Sequence, residues 1–289
     1  MYTIDNATHD FMLDNERKSL SSETMRYYRE NLSRFCTWLA ENNVNKACKI
    51  SQCIIDDYLL YLLRTIQNKT SVNTYMRAVR RFVNYLAAKK VIKTFTVSLL
   101  KDSYKIKPTF DNCEIDLILN SVKPDDDTSV MMLLLLSVGI RSRSLRELHV
   151  RDLHLSDRYI EIHKTKSGEP ICLPISQAVT EILKEYIAIY SRHGLLFINT
   201  CGNKFNRACL AKRINKRLRE LGISDEKSGV HIFRHTFGKI MSMNACPTAI
   251  LQKWLGHSDI RITQRYVDLY GNDLKNTMNM LPTSNFQYI

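Results

Sequence analysis

Six side chains in the second half of the sequence belong to types that bind a phosphate and move protons around it. They are Arg141, Lys166, His231, Arg234, His257 and Tyr266. A guanidinium stays cationic at any working pH, and its planar fork can hold two phosphoryl oxygens. An imidazole titrates near neutral pH, and a phenol becomes a nucleophile once it loses a proton whose ordinary pKa is about 10. Together these groups suit the cleavage of a phosphodiester.

Each of these residues taken alone also has an ordinary structural explanation. Arg141 follows an apolar run and could be a surface cation. His231 and Arg234 stand three residues apart, a spacing that places many pairs on one helical face. Tyr266 could be a core aromatic with its hydroxyl at the rim. Evidence for a functional site therefore comes from the order of the six residues and from the local sequence around each of them.

That order resembles the catalytic domain of the tyrosine recombinases, the phage integrase and Xer-type family, over residues 130–270. The matching segments are Gly139-Ile-Arg141 with Leu145, Leu148 and Asp152-Leu153, a lysine-bearing hairpin, His231-Ile-Phe-Arg234-His235-Thr-Phe237, Leu255-Gly-His257-Ser258 and Gln264-Arg-Tyr266. Tyr266 follows His257 by nine residues, as the nucleophile does in that family. The resemblance implies DNA strand cleavage by Tyr266.

The resemblance also implies how protons move. Tyr266 would form a 3′-phosphotyrosyl linkage and leave a free 5′ hydroxyl. His231 is the expected acid–base partner of the phenol, and Lys166 is expected to protonate the departing 5′ oxygen. Lys164, two residues earlier, remains an alternative to Lys166. We interpret His235 as a packing or supporting residue and not as a catalyst.

Arg141 and Arg234 are expected to hold the non-bridging oxygens, with His257 as a further hydrogen-bond partner of the phosphoryl group. The family commonly has an acidic residue three positions after the first arginine, where this sequence has Ser144. That acid orients its neighbours and does not react, so its loss bears on fine geometry and not on the chemistry.

No metal and no cofactor are expected. The phosphotyrosyl bond conserves the energy of the phosphodiester, so religation needs no ATP, and the sequence has no Walker-type loop. The acidic run 125–127 could suggest a metal, but three consecutive carboxylates approaching a helix do not converge. We interpret them as charge at a helix N-terminus.

Composition limits the class of protein. The 289 residues include 42 Lys and Arg against 29 Asp and Glu, which leaves a net charge of +13 and makes polyanions the first partners to consider. The polar, acidic N-terminus excludes a secretory signal, and the longest apolar run, 130–140, is too short to span a bilayer. Eight scattered cysteines without a Cys-x-x-Cys pair suggest small apolar core residues in a reducing compartment. We therefore expect a cytoplasmic, nucleoid-associated protein.

The fold is predicted to be mainly α with a small antiparallel β-sheet in the C-terminal domain. Residues 1–103 would form an all-α core-binding domain, 104–112 a linker, 113–270 an α+β catalytic domain, and 271–289 a tail helix that docks on a neighbouring protomer or on its own domain. Two such lobes could close around duplex DNA as a clamp. Apolar periodicity predicts a helix at 23–41 with Ser22 as its N-cap. Further helices are predicted at 53–66, 71–89, 113–122, 128–138, 177–190, 207–221, 231–243, 248–255 and from 258, with a hairpin over 158–173 that has Gly168 at its tip.

Basic residues outside the six predict a surface that follows the DNA backbone. The candidates are Arg77, Arg80, Arg81, Lys164, Lys212, Arg213, Lys216 and Arg217. Residues 1–107 hold 18 basic against 10 acidic side chains, which favours a phosphate-facing surface there. For the cations of 212–217, a solvated helix face is an equally good explanation.

The sequence therefore predicts a site-specific recombinase that acts on double-stranded DNA as a homo-oligomer, a dimer on each site and a tetramer in the synapse. Accessory DNA-bending proteins are possible partners, and a membrane is not. Two alternatives stay open. One is a type IB topoisomerase-like enzyme that nicks and closes DNA, and the other is a basic DNA-binding regulator without catalysis.

Overall fold

The computed structural model describes residues 2–101, 107–163, 170–257 and 259–270. The chain divides into two compact units, Met1–Lys105 and Ile106–Ile289. Each unit has its own hydrophobic core. Within the described ranges, no helix combines the length and the apolar character needed to cross a membrane.

The first unit is built from α-helices. They are α1 (Ile4–Arg17), α2 (Ser22–Glu41), α3 (Gln52–Thr65) and α4 (Lys69–Ala88). The predicted stripe of α4 is confirmed, since Val79, Phe82 and Leu86 are fully buried and Tyr75 is half-buried. Helix α2 is capped by Ser21 and not by Ser22, because the Ser21 hydroxyl accepts from the amide of Thr24.

Helix α1 was not predicted from the sequence. Its polar residues outweigh its apolar ones, but Ile4, Ala7 and Phe11 recur at helical spacing and are buried. Phe11 makes edge-to-face contacts with Tyr28 and Phe82, which ties α1 to both α2 and α4. The stripe and the Thr3 N-cap were the available signals.

The second unit combines eight α-helices and three strands in its described part. They are α5 (Asn112–Asn120), α6 (Asp127–Val138), α7 (Ser142–Arg146), β1 (Leu153–His154), β2 (Tyr159–Ile162), β3 (Ile171–Pro174), α8 (Gln177–Tyr190), α9 (Arg207–Glu220), α10 (His231–Met243), α11 (Thr248–Leu255) and α12 (Ile260–Tyr270). The mainly helical fold with a small sheet is confirmed. The short elements α7 and β1 were not predicted.

The strands form one antiparallel sheet in the order β1-β2-β3. Ile160 pairs with Leu173 and Ile162 with Ile171, so β2 and β3 form the predicted hairpin. Its tip, with Gly168, lies outside the described residues.

Helix α6 crosses the core of the second unit and is buried on nearly every side. Its start confirms the interpretation of the acidic run as N-terminal charge, because Asp126 caps the helix by accepting from the amide of Thr128. Asp127 accepts from the hydroxyl of Tyr186 at 2.6 Å. The acidic run therefore caps α6 and accepts a hydrogen bond in the core.

Residues just before α5, which the sequence assigns to the linker, pack on the second unit. Phe110 is fully buried and meets Phe233 edge to face, at 4.9 Å between ring centroids. Its amide donates to the hydroxyl of Thr236 on α10. Asp111 then forms a capping box with Glu114.

The cysteines contradict the expectation of core packing. None of the eight is buried, and six are exposed: Cys48, Cys53, Cys113, Cys172, Cys201 and Cys209. All eight are free thiols. Cys36 and Cys246 are half-buried and pack against the hydrophobic clusters, so cysteine type alone does not fix burial.

Gly139, the residue that ends α6, should tolerate no side chain. Its φ is +64°, and an added Cβ would lie 2.5 Å from Cδ1 of Phe237. We expect Gly139→Ala to lower the free energy of unfolding by about 2–4 kcal/mol, combining left-handed strain with overpacking.

Gly202→Ala is the matched control for this prediction. Gly202 has a similar φ of +74° but open space around its Cα. We expect it to cost only the strain, about 1 kcal/mol. Urea denaturation of both variants measures the difference, and equal losses would show that the contact with Phe237 is unimportant.

Candidate active site

Two helix C-termini provide the acceptors that hold Arg234. Helix α6 ends at Gly139 and α11 at Gly256, both in the left-handed conformation. Arg234 donates from Nη1 to the carbonyl of Gly139 at 2.8 Å and from Nη2 to the carbonyl of Leu255. Helix C-termini carry partial negative charge, so they orient a cation without neutralising it.

Arg141 is held in the same way, one carbonyl further along the chain. Its Nη2 donates to the carbonyl of Gly256. A Cβ on Gly256 would lie 3.0 Å from Nη1 of Arg141 and 3.0 Å from Cδ1 of Ile171. Glycine therefore meets both the φ of +55° and the close approach of these two side chains.

Neither guanidinium pairs with a carboxylate among the described residues. Burial, followed by the charge of Arg141, lowers the pKa of Arg234 to about 9, and burial also lowers the pKa of Arg141. Both groups remain cationic at neutral pH. Two partly desolvated cations whose carbonyl acceptors carry no net charge form a strong site for an anion with several oxygens.

His257 lies against Arg234. Its Nε2 is 3.1 Å from Nη2 of Arg234, and its Nδ1 is 2.9 Å from the hydroxyl of Thr263. A guanidinium only donates, so Nε2 of His257 accepts from Arg234. Nδ1 then carries the ring hydrogen and donates a hydrogen bond to the hydroxyl of Thr263. In this arrangement the imidazole orients Arg234. A direct bond from His257 to a phosphoryl oxygen stays a prediction.

His231 is the first residue of α10 and is exposed at that end of the helix. Partial desolvation of its ring and the cations Arg207 and Arg234 lower its pKa. The helix N-terminus also disfavours a positive charge. His231 is therefore neutral near pH 7 and able to accept a proton.

Tyr266 is placed by α12 against α10, and its side chain is only 7% exposed. The ring packs over Gly238, where an added Cβ would lie 2.8 Å from Cε1 of the ring. The hydroxyl is 2.8 Å from Nδ1 of His235. This contact with the phenol was not predicted from the sequence, although His235 lies four residues after His231 on the same helical face.

Several predicted residues lie outside the described residues: Lys164, Lys166, Ser258 and the tail 271–289. The strand that follows the lysine segment of the hairpin is described. Ile171, which opens β3, contacts the Gly256 turn that binds Arg141. Strand β3 therefore begins beside the arginine pair.

Ser144 lies in α7, and a carboxylate follows it within one turn. Glu147 accepts from the ammonium of Lys204 at 2.9 Å and lies 3.5 Å from Nε of Arg143. Arg146 donates to the carbonyl of Phe205 at 3.0 Å, which ties α7 to the segment before α9. Contacts with residues distant in the sequence therefore hold α7, the helix that follows Arg141, and the local sequence pattern does not reveal these contacts.

The basic candidates in the first unit differ in exposure. Arg77 and Arg81 are exposed on α4. Arg80 is half-buried and donates from Nε to the carbonyl of Val97 at 3.0 Å. Arg77 and Arg81 therefore remain the better candidates for contact with phosphates.

The candidates on α9 divide in the same way. Lys212 and Lys216 are exposed. Arg213 donates from Nε to the hydroxyl of Thr128 at 2.7 Å, and Arg217 binds the carboxylate of Asp126. These two arginines fasten α9 to the start of α6. The role of all four in DNA binding stays a prediction.

Comparison with known proteins gives the same family for both units. Residues 109–272 match the Phage integrase family, and residues 12–90 match the phage integrase N-terminal SAM-like domain. The tyrosine recombinase XerC of Histophilus somni is 26% identical over 265 residues, 87% of this chain and 88% of the relative. XerD of Staphylococcus aureus is 24% identical and covers 91% of this chain and 93% of its own.

A solved structure shows the same fold. The site-specific recombinase XerH, bound to its palindromic difH substrate in a post-cleavage complex, has a TM-score of 0.73 at 17% identity. The alignment covers 89% of this chain and 79% of XerH. With the family pattern matched over more than half of its length, this chain belongs to the phage integrase family of tyrosine recombinases.

Proposed function

We propose that this protein recombines DNA at specific sites by cutting and rejoining strands through Tyr266. One observation carries the proposal. Arg141 and Arg234 are held by adjacent carbonyls at the end of α11, His257 bonds Arg234, and the Tyr266 phenol meets the residue next to Arg234 on α10. A phosphodiester between the arginines would lie close to a phenol nucleophile.

The reaction balances without an added energy source. The phenol oxygen of Tyr266 bonds to phosphorus and gives up its proton to a neighbouring imidazole on α10, and the bond from phosphorus to the 5′ oxygen breaks. The 5′ oxygen takes a proton from Lys166 in our assignment, with Lys164 as the alternative. Attack of a 5′ hydroxyl on the phosphotyrosine then reverses each step on a new strand.

The arginine pair supplies the main electrostatic stabilisation. Negative charge grows on the non-bridging oxygens as phosphorus becomes pentacoordinate, and two fixed forks can bind them without reorganising. His231, neutral and at the same end of α10 as Arg234, is our candidate for acid–base exchange. These roles need no metal ion.

Duplex DNA with specific recombination sites is the proposed partner. The XerC and XerD relatives are named as tyrosine recombinases, and the XerH structure holds a palindromic substrate. A palindrome matches two protein copies related by a two-fold axis, which supports a dimer on each site and a tetramer in the synapse.

The remaining proposals concern assembly around the DNA. The two units would close on the duplex as a clamp, the tail 271–289 would dock on a neighbouring protomer, and accessory DNA-bending proteins could assist. Arg77, Arg81, Lys212 and Lys216 would contact phosphates. The proposed location of the protein is the nucleoid, where it would act on DNA.

A nicked suicide duplex tests the function directly. When the 5′ end diffuses away after cleavage, we expect the wild-type protein to stay covalently attached to the 3′ phosphate in the presence of a chelator. Mass spectrometry of the digested adduct should place the nucleotide on Tyr266. On intact DNA that carries two recombination sites, we expect strand exchange between them.

Other outcomes would select the alternatives. Relaxation of supercoiled DNA without exchange would indicate a topoisomerase-like enzyme. Tight DNA binding without any adduct would indicate a regulator. An adduct on another residue would contradict the assigned nucleophile.

A further inference from the structure

We propose that His235 is a catalytic residue that accepts the phenol proton of Tyr266 during strand cleavage. The proposal rests on the proposed function and adds a group to its proton path. The geometry points to Nδ1 of His235 as the acceptor, because it lies at hydrogen-bond distance from the reacting oxygen.

The contact between the two side chains is fixed by packing from both sides. The imidazole and phenol rings lie 6.0 Å apart at their centroids, tilted by 39°. Gly238, one turn after Arg234, leaves the space in which the Tyr266 ring lies. A side chain there would displace the ring, so the glycine and the short bond of 2.8 Å specify one position for the hydroxyl.

His235 is neutral in the protein without DNA, and its pKa has to rise on substrate binding before it can take up the phenol proton. Burial, followed by the nearby His231, Lys107 and Arg234, lowers the pKa of His235 to about 4. The ring is therefore neutral near pH 7, and one nitrogen has a free electron pair for the phenol proton. A phosphate bound at the arginines would offset the charge of Arg234 and make His235 a stronger base when the substrate is in place.

His235 thus takes the place of His231 as the acceptor of the phenol proton. His231 lies at the exposed start of α10, and His235 contacts the phenol directly. During cleavage the Oη–H bond of Tyr266 breaks, its proton moves to Nδ1 of His235, and the electron pair of Oη bonds to phosphorus. On religation His235 returns the proton to the departing phenol.

The first test compares cleavage rates on the nicked suicide duplex. His235→Gln retains a polar side chain but cannot take up a proton, and we expect its single-turnover cleavage to fall about 100-fold or more. DNA affinity should be unchanged. His193→Gln is the matched control, since His193 is exposed after α8, and its rate should equal that of the wild type.

A more acidic nucleophile separates proton transfer from packing. Introducing 3,5-difluorotyrosine at position 266 lowers the phenol pKa, so the deficit of His235→Gln should shrink at least tenfold in that background. A substrate with a 5′-bridging sulfur, which leaves without a proton, should not rescue His235→Gln. Rescue by sulfur, or no rescue by fluorine, would contradict the role of His235 as acceptor.

Nitrogen chemical shifts test the hydrogen bond without activity. In protein labelled at histidine nitrogens, Nδ1 of His235 should be unprotonated and Nε2 protonated at pH 7. A protonated Nδ1 would overturn the proposal, and so would a cleavage rate for His235→Gln equal to or above that of an active wild type. Absence of any adduct with the wild-type protein would instead refute the proposed function.

Discussion

Tyr266→Phe should abolish covalent capture of DNA while leaving the fold and the affinity for duplex DNA intact. The phenol oxygen is the atom that bonds to phosphorus, and phenylalanine has no substitute for it. The ring itself is buried against Gly238 and next to Phe237 and Leu255, contacts that phenylalanine retains. Loss of the hydrogen bond to His235 should cost about 1 kcal/mol in the free energy of unfolding.

The measurement uses the suicide duplex together with equilibrium DNA binding. We expect no adduct above background with Tyr266→Phe and a dissociation constant within about twofold of the wild type. Tyr190→Phe is the control, because it removes a tyrosine hydroxyl that donates to the carbonyl of Asp125, and it should still give an adduct. An adduct formed by Tyr266→Phe would show that another side chain is the nucleophile.

The longer helices could be predicted from the sequence because local signals agree there. The bounds of α8, α10 and α11 match the prediction, since each has an apolar stripe and a clear end. Helix α7 has five residues, too few for periodicity to show. Contacts distant in sequence, such as that of Arg146 with Phe205, hold it in place.

The site was predictable in its residue types but not in its supports. Spacing identified Arg141, Arg234 and Tyr266, because their order is specific. The acceptors that position the two arginines are backbone carbonyls of Gly139, Leu255 and Gly256, and a carbonyl has no signature in a sequence. Only the glycines give a hint, through the positive φ that ends each helix.

His235 shows a second limit of prediction from sequence. Its neighbour Arg234 points to the carbonyls, and His235 faces α12 instead. Which of two histidines four residues apart meets the phenol depends on how α12 crosses α10. Gly238 permits that close crossing, and its significance appears only once the Tyr266 ring is placed.

Arg234→Lys should reduce both cleavage and stability, although it keeps the positive charge. The guanidinium spans the carbonyls of Gly139 and Leu255 and bonds Nε2 of His257, and one ammonium cannot reach all three from a flexible stem. Each buried acceptor left unpaired costs about 1–3 kcal/mol in the free energy of unfolding. Losing one fixed donor to the phosphoryl oxygens should slow cleavage by about 100- to 1,000-fold.

Arg219→Lys is the control for this change, because Arg219 is an exposed arginine that pairs with Asp225 at the surface. We expect it to alter neither the cleavage rate nor the urea midpoint measurably. If Arg234→Lys cleaved DNA at the wild-type rate, charge alone would suffice. The carbonyls at the two helix C-termini would then contribute to stability and not to catalysis, because an ammonium that they do not hold in place would stabilise the phosphate equally well.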